Sequence, residues 1–359
     1  CLIHHLTWLR EGLHLEPTAL LGAAAALSVA ALVILPRLPF LRDHGAGAPS
    51  SNPCHVGGRK SKAGGLAVCL ATVLPALISM GTASPWRPVL LFLLGLFLVG
   101  YLDDRHPLTP GWKIILQIPL ALFVILSIPR TAWVHTGLPW VLLQTGWIVV
   151  MTNAFNIVDV ADGLLAGLAL PAFSVMGGVL LVSGLPEVAG LCIAACGALL
   201  GFLPFNTSPG RIMLGDAGSL PLGGLVALLV LLVPSRLVAL PTIAWIVPLT
   251  GVVLFEVAWV SVRRIRRGIP PWRGSPHHLI YRLVEAGLTP AAAVLLLATV
   301  QALMVIPLAT AAGVLPWLGP LAAALGILLV KPLRAGELRH GGSRSASPRS
   351  RRSSPAGRS

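Results

Sequence analysis

Uncharged apolar runs dominate this chain: residues 17–36, 64–86, 88–102, 114–129, 136–158, 163–186, 188–205, 217–235 and 237–255. A helix needs roughly 20 apolar residues to cross the hydrocarbon core of a bilayer. A last uncharged stretch, 286–330, breaks at Gly313, Pro316, Gly319 and Pro320 and reads as two helices. With 88–102 and 114–129 extended by their flanks, the pattern predicts about 11 transmembrane helices. The expected fold class is all-α, a polytopic integral membrane helical bundle.

Composition agrees, with 55% hydrophobic residues, 11% charged residues and a mean hydropathy of +0.85. Lysine and arginine then set an orientation. If the first span runs inward, Arg37, Arg42, Arg59, Lys60 and Lys62 lie inside, as do Arg263, Arg264, Arg266, Arg267, Arg273, Arg282 and the basic tail after 330. Only Arg10, Arg87, Arg130 and Arg236 face the other way. The positive-inside rule predicts an outer N-terminus and a cytoplasmic C-terminus. The net charge of +14 is thereby assigned to anionic lipid headgroups rather than to nucleic acid. Residues 1–334 read as one membrane domain, and 335–359, rich in Ser, Arg, Gly and Pro, as a disordered cytoplasmic tail. The run 17–36 is long enough to be a true span rather than a cleavable signal peptide. Five cysteines show no metal-ligand spacing, and Cys192 and Cys196, one helical turn apart, read as packing residues.

Against that apolar background the acids stand out. The chain has six aspartates, and five of them fall in three short polar islands: Asp103 with Asp104, Asp159 with Asp162, and Asp216. Carboxylates among apolar spans mark functional sites by default, because each costs about 3 kcal/mol at the bilayer centre on insertion scales. In the charge-derived topology all three islands emerge on the cytoplasmic face, although the charge rule never consulted them. Five acids on one side of a membrane suit a divalent cation and a phosphorylated substrate.

Each island has its own chemistry. Asp103 and Asp104 repel each other unless a cation or water separates them. Mg2+ suits such a pair, since it takes one or two carboxylates and completes its octahedron with water and substrate phosphates; the alternative is a solvated span terminus. Lys113 and Gln117 open the next span, where a lone lysine commonly serves as a headgroup anchor. Asn153, Asn156, Asp159 and Asp162 recur every third residue, which on a helix makes a slowly drifting polar stripe. Such a stripe offers hydrogen bonds to a nucleotide or sugar, or else satisfies neighbouring helices. Asp216 sits between glycines, where backbone can approach a ligand closely, though an acid there also suits a helix N-cap. Arg211, five residues earlier, suits a phosphate oxygen. In the last basic loop, four arginines read as topology determinants, whereas His277, His278 and Arg282 suit a pyrophosphate.

Together these segments resemble the polyprenyl-phosphate N-acetylhexosamine-1-phosphate transferase family. The resemblance covers roughly residues 17–333 and rests on four ordered motifs: GYLDD at 100–104, NAFNIVDVADGL at 153–164, FNTSPGRIMLGDAGS at 205–219 and PHHLIYRL at 276–283. A basic loop leading into Gly64-Gly65 is similar to the family's entrance motif, in divergent form. The resemblance implies that a lipid phosphate attacks the β-phosphate of a UDP-sugar, giving a polyprenyl-diphosphate-sugar and UMP. It implies Mg2+, with Mn2+ as a substitute, on Asp216. It implies a base at Asp103 with Asp104 beside it, and a nucleotide-sugar pocket at Asn153, Asn156, Asp159, Asp162 and Met213. Lys113, Arg211, Arg282 and the pair His277-His278 are matched to the diphosphate. The implied partners are a UDP-sugar, undecaprenyl phosphate and membrane lipids, the implied place is the bacterial cytoplasmic membrane, and a homodimer is an assembly the sequence allows.

Three positions depart from the family pattern. Val160 replaces a glycine of the second motif, Met213 stands where many members carry a uracil-stacking Phe, and Leu279 stands where the muramoyl-pentapeptide enzyme has a third histidine. The last favours the N-acetylhexosamine branch, with UDP-GlcNAc as substrate, over the phospho-MurNAc-pentapeptide transferase of peptidoglycan synthesis. A catalytically weakened relative is a further reading, opposed by the retained acids. From a different class comes a multi-span cation transporter. It would hold its ligands near the bilayer midplane, whereas these acids gather at one face.

Overall fold

The computed structural model describes residues 16–35, 60–81, 83–129, 137–232, 243–270 and 277–328. The basic tail 335–359 and the loop residues Arg37, Arg42, Arg59 and Arg273 lie outside the described residues, as does the N-terminus. The helices, in chain order, are α1 (Pro17–Ile34), α2 (Ala63–Met80), α3 (Arg87–Arg105), α4 (Pro110–Ser127), α5 (Leu138–Val158) and α6 (Leu164–Val182). They continue with α7 (Pro186–Asn206), α8 (Asp216–Leu232), α9 (Ile243–Ile265), the short α10 (Leu279–Glu285), α11 (Pro290–Ala311) and α12 (Leu315–Leu328). Among the described residues the only strand-like pairing is one parallel bridge between Ser61 and Ile212.

Among the described residues, eight helices are long and apolar enough to cross a membrane: α1, α2, α4, α5, α6, α7, α9 and α11. The other apolar helices fall short of that criterion for visible reasons. α3 carries Arg87, Asp103, Asp104 and Arg105, while α8 and α12 are shorter. The stretch 286–330 does divide into two helices, and the break falls at Gly313, whose φ is +68°.

Side-chain size sorts the helices into layers. α7 is rich in Ala, Gly and Cys and sits in the middle, packed on α1, α2 and α6; its residues from Val188 to Leu203 are nearly all buried. α6 and α8 are likewise buried on every side, and α8 lies between α3 and α5. Without a hydrophobic force between helices in lipid, close contact needs small residues that let backbones approach. α4 shows the converse, presenting Ile114, Ile115, Ile118, Phe123 and Leu126 outward, a surface that suits lipid tails. Prolines inside α2, α4, α6, α7, α8, α9 and α11 follow the tolerance of membrane helices for such breaks, because neighbours re-satisfy the freed backbone groups.

The structure refines two readings of the sequence. The polar stripe 153–162 is not one helix: α5 ends at Val158, the chain turns through 159–163, and Gly163 takes φ +84° before α6 starts. Only Asn153 and Asn156 share the helix. The apolar run that stops at 255 does not end its helix either, since α9 continues through Glu256 to Ile265.

Candidate active site

The three acid islands meet at one end of the bundle, where α3, α5 and α7 finish and α2, α4, α6 and α8 begin. Gly100 explains how α3 reaches α8. A Cβ there would lie 2.2 Å from the carbonyl oxygen of Asp216, so any other residue would force the two helices apart. With that approach made, Asp104 Oδ2 accepts the Ala217 N–H at 3.0 Å, capping the start of α8 from a different helix. Asp216 therefore opens α8 without serving as its cap, and its carboxylate faces other partners. Asn156 Nδ2 donates to Asp216 Oδ1 at 2.8 Å and to Ser219 Oγ at 2.9 Å.

Lysines from two segments balance these acids. Lys113 at the start of α4 is no simple headgroup anchor. Its ammonium donates to Asp103 Oδ2 at 3.0 Å and also to Asp216 Oδ2, and the two carboxyls neighbour each other. Asp103 Oδ1 accepts the Leu108 N–H at 2.7 Å, which holds the α3–α4 turn. Lys62 lies 3.0 Å from Asp104 Oδ1. Lys60 donates to both oxygens of Asp162, at 2.6 and 2.5 Å, and Gly210 N–H adds a third bond to that carboxylate at 2.9 Å.

The entrance segment is anchored by backbone as well. Met213 N–H donates to Ser61 O at 2.8 Å, and Gly64 N–H donates to Met213 O at 3.2 Å. Met213 thus sits beside the basic loop, with its side chain half-buried. Asn206, buried at the end of α7, accepts the Gly163 N–H at 2.8 Å and donates to Ile212 O at 2.9 Å, tying the turn at 159–163 to the loop before α8. Asp159 is half-buried in that turn. Burial, then the charges of Asp216, Asp104 and Asp162, push its carboxyl pKa up to about 8 against an opposing hydrogen bond from the Gly215 backbone.

The remaining predicted residues divide. Asn153 turns to Gln117, donating to its Oε1 at 2.5 Å, and so links α5 to α4. Arg211 is exposed, on the loop that carries Met213. Arg282 lies on α10 in an exposed pair with Glu285 at 2.6 Å. His277 contacts Arg267 at 2.8 Å, and His278 is buried against Glu256. Sequence reasoning passed over Glu256, treating it as the edge of an apolar run. It named Lys60 and Lys62 only within the basic loop; their pairing with Asp162 and Asp104 spans about a hundred and about forty residues.

The donor set also bears on a metal. Among the described residues no three His, Cys, Asp or Glu side chains form a ready cation cage. Mg2+ does not require one, because one or two carboxylates plus water and phosphate oxygens complete its shell. Five aspartates against Lys60, Lys62 and Lys113 leave a formal surplus of two negative charges when all are ionised. Hard oxygen donors and that surplus fit a divalent cation.

Comparison with known proteins gives these positions a context. The sequence profile of glycosyl transferase family 4 matches residues 86–234, the segment from α3 to the end of α8 that holds all five acids. A Bacillus subtilis (strain 168) protein named "Probable undecaprenyl-phosphate N-acetylglucosaminyl 1-phosphate transferase" is 30% identical over 236 residues, covering 63% of this chain and 66% of the relative. A phospho-N-acetylmuramoyl-pentapeptide-transferase of Geobacillus sp. (strain WCH70) is 33% identical over 248 residues, covering 62% of this chain and 74% of the relative. Another protein of that name, from Staphylococcus haemolyticus (strain JCSC1435), is 30% identical over 229 residues, covering 56% and 71%. The chain thus spans about two thirds of the length of these curated relatives. With its motifs, its helical membrane-type fold and this similarity taken together, the chain belongs to glycosyl transferase family 4, the family of polyprenyl-phosphate sugar-1-phosphate transferases.

Proposed function

We propose that this protein transfers a sugar 1-phosphate from a UDP-linked N-acetylhexosamine to undecaprenyl phosphate, releasing UMP and starting a cell-envelope polysaccharide. The observation that carries this reading is the convergence of Asp103, Asp104, Asp159, Asp162 and Asp216 with three lysines at one end of an apolar bundle. A phosphorylated headgroup and a water-soluble nucleotide can meet at such an end, whereas a midplane carrier site would have no use for this placement. The excess of lysine and arginine in the neighbouring loops supports a cytoplasmic position for it. Labelling of Pro107→Cys from outside intact cells would contradict that side.

In this reaction an oxygen of the lipid phosphate bonds to the β-phosphorus as the bond from that phosphorus to UMP breaks. Asp103 takes the proton from the attacking phosphate through Oδ2, the oxygen now paired with Lys113. Lys113, positioned between Asp103 and Asp216, follows the negative charge as it moves to the leaving phosphate. Asn156 keeps Asp216 oriented through Oδ1. Bound Mg2+ on Asp216 would neutralise the diphosphate and stabilise the charge that develops on its oxygens. Asn153, Asp159 and Met213 line the nucleotide side, and Arg211 reaches phosphate from the loop edge.

The sugar is N-acetylglucosamine in the reading we favour, because Leu279 replaces the third histidine of the pentapeptide enzymes. The names of the Geobacillus and Staphylococcus relatives keep phospho-N-acetylmuramoyl-pentapeptide as the second substrate to test. Purified protein, undecaprenyl phosphate and Mg2+ should release UMP from UDP-GlcNAc faster than from UDP-MurNAc-pentapeptide. UMP release from neither, nor from other UDP-sugars, would refute the assignment.

A further inference from the structure

Glu256 is a buried acid in the apolar helix α9, about 14 Å of helix rise before its C-terminal end at Ile265. An ionised side chain in such a position is costly and calls for a partner. Its partners come from the histidine motif. Glu256 Oε1 lies 2.9 Å from His278 Nδ1, and both carboxylate oxygens accept the Leu279 N–H, at 3.0 and 3.1 Å. The side chains of His278 and Glu256 are only 5% and 4% exposed. Tyr281 packs on the same ring, edge-on to the imidazole with centroids 5.5 Å apart. Buried Arg264, two turns further along α9, adds a positive charge that acts on Glu256.

This arrangement decides which imidazole nitrogen is committed. A carboxylate can only accept, so the bond to Glu256 requires the proton on Nδ1. The neutral ring then carries its lone pair on Nε2, and the protonated ring donates from Nε2. Either way Nε2 is the nitrogen left for a ligand, and the bond to Glu256 together with the packing of Tyr281 restrains rotation of the ring. The second bond, to the Leu279 N–H, holds the backbone of the same motif in register. One carboxylate therefore sets both the tautomer and the place of His278.

We propose that Glu256 is the positioning residue of the histidine motif, holding His278 so that Nε2–H is donated to a phosphoryl oxygen of the substrate. This rests on the transferase reading given above. The carboxylate on the far side of the ring balances the imidazolium while the phosphate holds the near side. Partners of this kind orient the ring that does the work, and their loss costs about 10- to 100-fold in activity at comparable sites.

The test uses full-length protein in nanodiscs with undecaprenyl phosphate, UDP-GlcNAc and Mg2+. Glu256→Gln keeps the shape and removes the charge; Glu256→Asp keeps the charge. The expected result is a kcat about 10- to 100-fold lower in Glu256→Gln, an unchanged KM for UDP-GlcNAc and substantial recovery in Glu256→Asp. In parallel, 15N spectra of histidine-labelled protein, with His278 assigned through His278→Gln, should show His278 protonated at Nδ1 in the wild type, with Nε2 also protonated once UDP-GlcNAc is bound, and a mixture of ring states in Glu256→Gln. A folded Glu256→Gln with kcat within twofold of wild type overturns the proposal. So does a loss of activity that follows thermal stability in both variants, since that is a purely structural role. If the wild type releases no UMP from any UDP-sugar, the transferase reading fails instead, and an unchanged His278 signal in Glu256→Gln would still overturn the positioning.

Discussion

Two lysine–aspartate groups lie at the same end of the bundle and differ in kind. Lys113 is shared by Asp103 and Asp216, with side chains 14%, 15% and 22% exposed. Lys60 grips Asp162 alone, and those side chains are 5% and 1% exposed. In the first group one ammonium serves two carboxylates within reach of solvent, so a cation or a phosphate can compete for either partner at modest desolvation cost. In the second, both oxygens of Asp162 are already engaged, by Lys60 and by the Gly210 N–H, in a closed setting. That pair ties the basic loop to the turn at 159–163 and to the loop before α8. The same two residue types therefore make an open, shared group in one place and a closed clasp in the other. Access and the number of fixed donors separate them.

The sharpest way to break this comparison is to remove one half of the clasp. Asp162→Ala leaves Lys60 buried without its counter-charge, which should cost about 3–5 kcal/mol of stability in reversible unfolding in mixed micelles. The double variant Lys60→Met/Asp162→Leu should recover most of that loss, since apolar replacement of a buried pair is often neutral. A cost below about 1 kcal/mol for Asp162→Ala would place this pair with exposed, weakly contributing ones instead.

The open group, under the proposed function, should respond in turnover rather than in stability. Asp216→Asn should lower kcat by at least about 100-fold, the upper end of what outer-shell partners of a metal cost. Chelation should abolish UMP release, and Mg2+ or Mn2+ should restore it. Near-normal turnover of the variant at limiting Mg2+ would remove Asp216 from the metal.

Met213 borders the clasp and sharpens the contrast by substrate. Met213→Phe should tighten nucleotide binding by about 0.5–1.5 kcal/mol through ring stacking, seen as a fall of about 2- to 13-fold in the KM for the UDP-sugar. The KM for lipid phosphate, which carries no base, should stay as it is. A parallel shift in both would show that residue 213 is not the base platform.

A last test concerns Asp159, which stands between the two groups. Its folded pKa of about 8 lies above the ordinary carboxylate value. Such a group favours the fold most at low pH, and that contribution is lost as pH rises through about 8. The metal-free protein should accordingly lose thermal stability over that rise, while Asp159→Asn should show a flatter profile. Equal slopes in the two proteins would mean that neighbouring charges do not act on Asp159 as the geometry implies.

Much of the site was legible because its residue types are rare in their surroundings. Five aspartates in an apolar chain cannot all be incidental when each must be taken out of water, and their islands indeed meet. The spans near 17–34, 110–127 and 138–158 were equally plain, since length and apolarity are local properties. The period-three spacing at 153–162 could not show where the helix stops, because that depends on the turn at Gly163 and on Asn206 from α7. Local pattern alone left Lys113 as a headgroup anchor and only the family resemblance matched it to a diphosphate, because nothing local shows that it bridges Asp103 and Asp216. Glu256 looked like the boundary of an apolar run, which is what a single acid does to any local pattern.

By itself the sequence determined the material of this protein: apolar helices able to cross a membrane, acids and bases held to their ends, and the motifs of a transferase family. Those follow from the cost of placing a charge in hydrocarbon, which each segment bears wherever its neighbours lie. Tertiary structure alone decided the pairing. Gly100 lets α3 press on α8 so that Asp104 caps a helix it does not belong to, Lys60 crosses from the basic loop to Asp162, and Glu256 takes hold of His278. Such choices depend on which helix ends meet, and that is settled by packing between small residues far apart in the chain, where no local pattern carries the information.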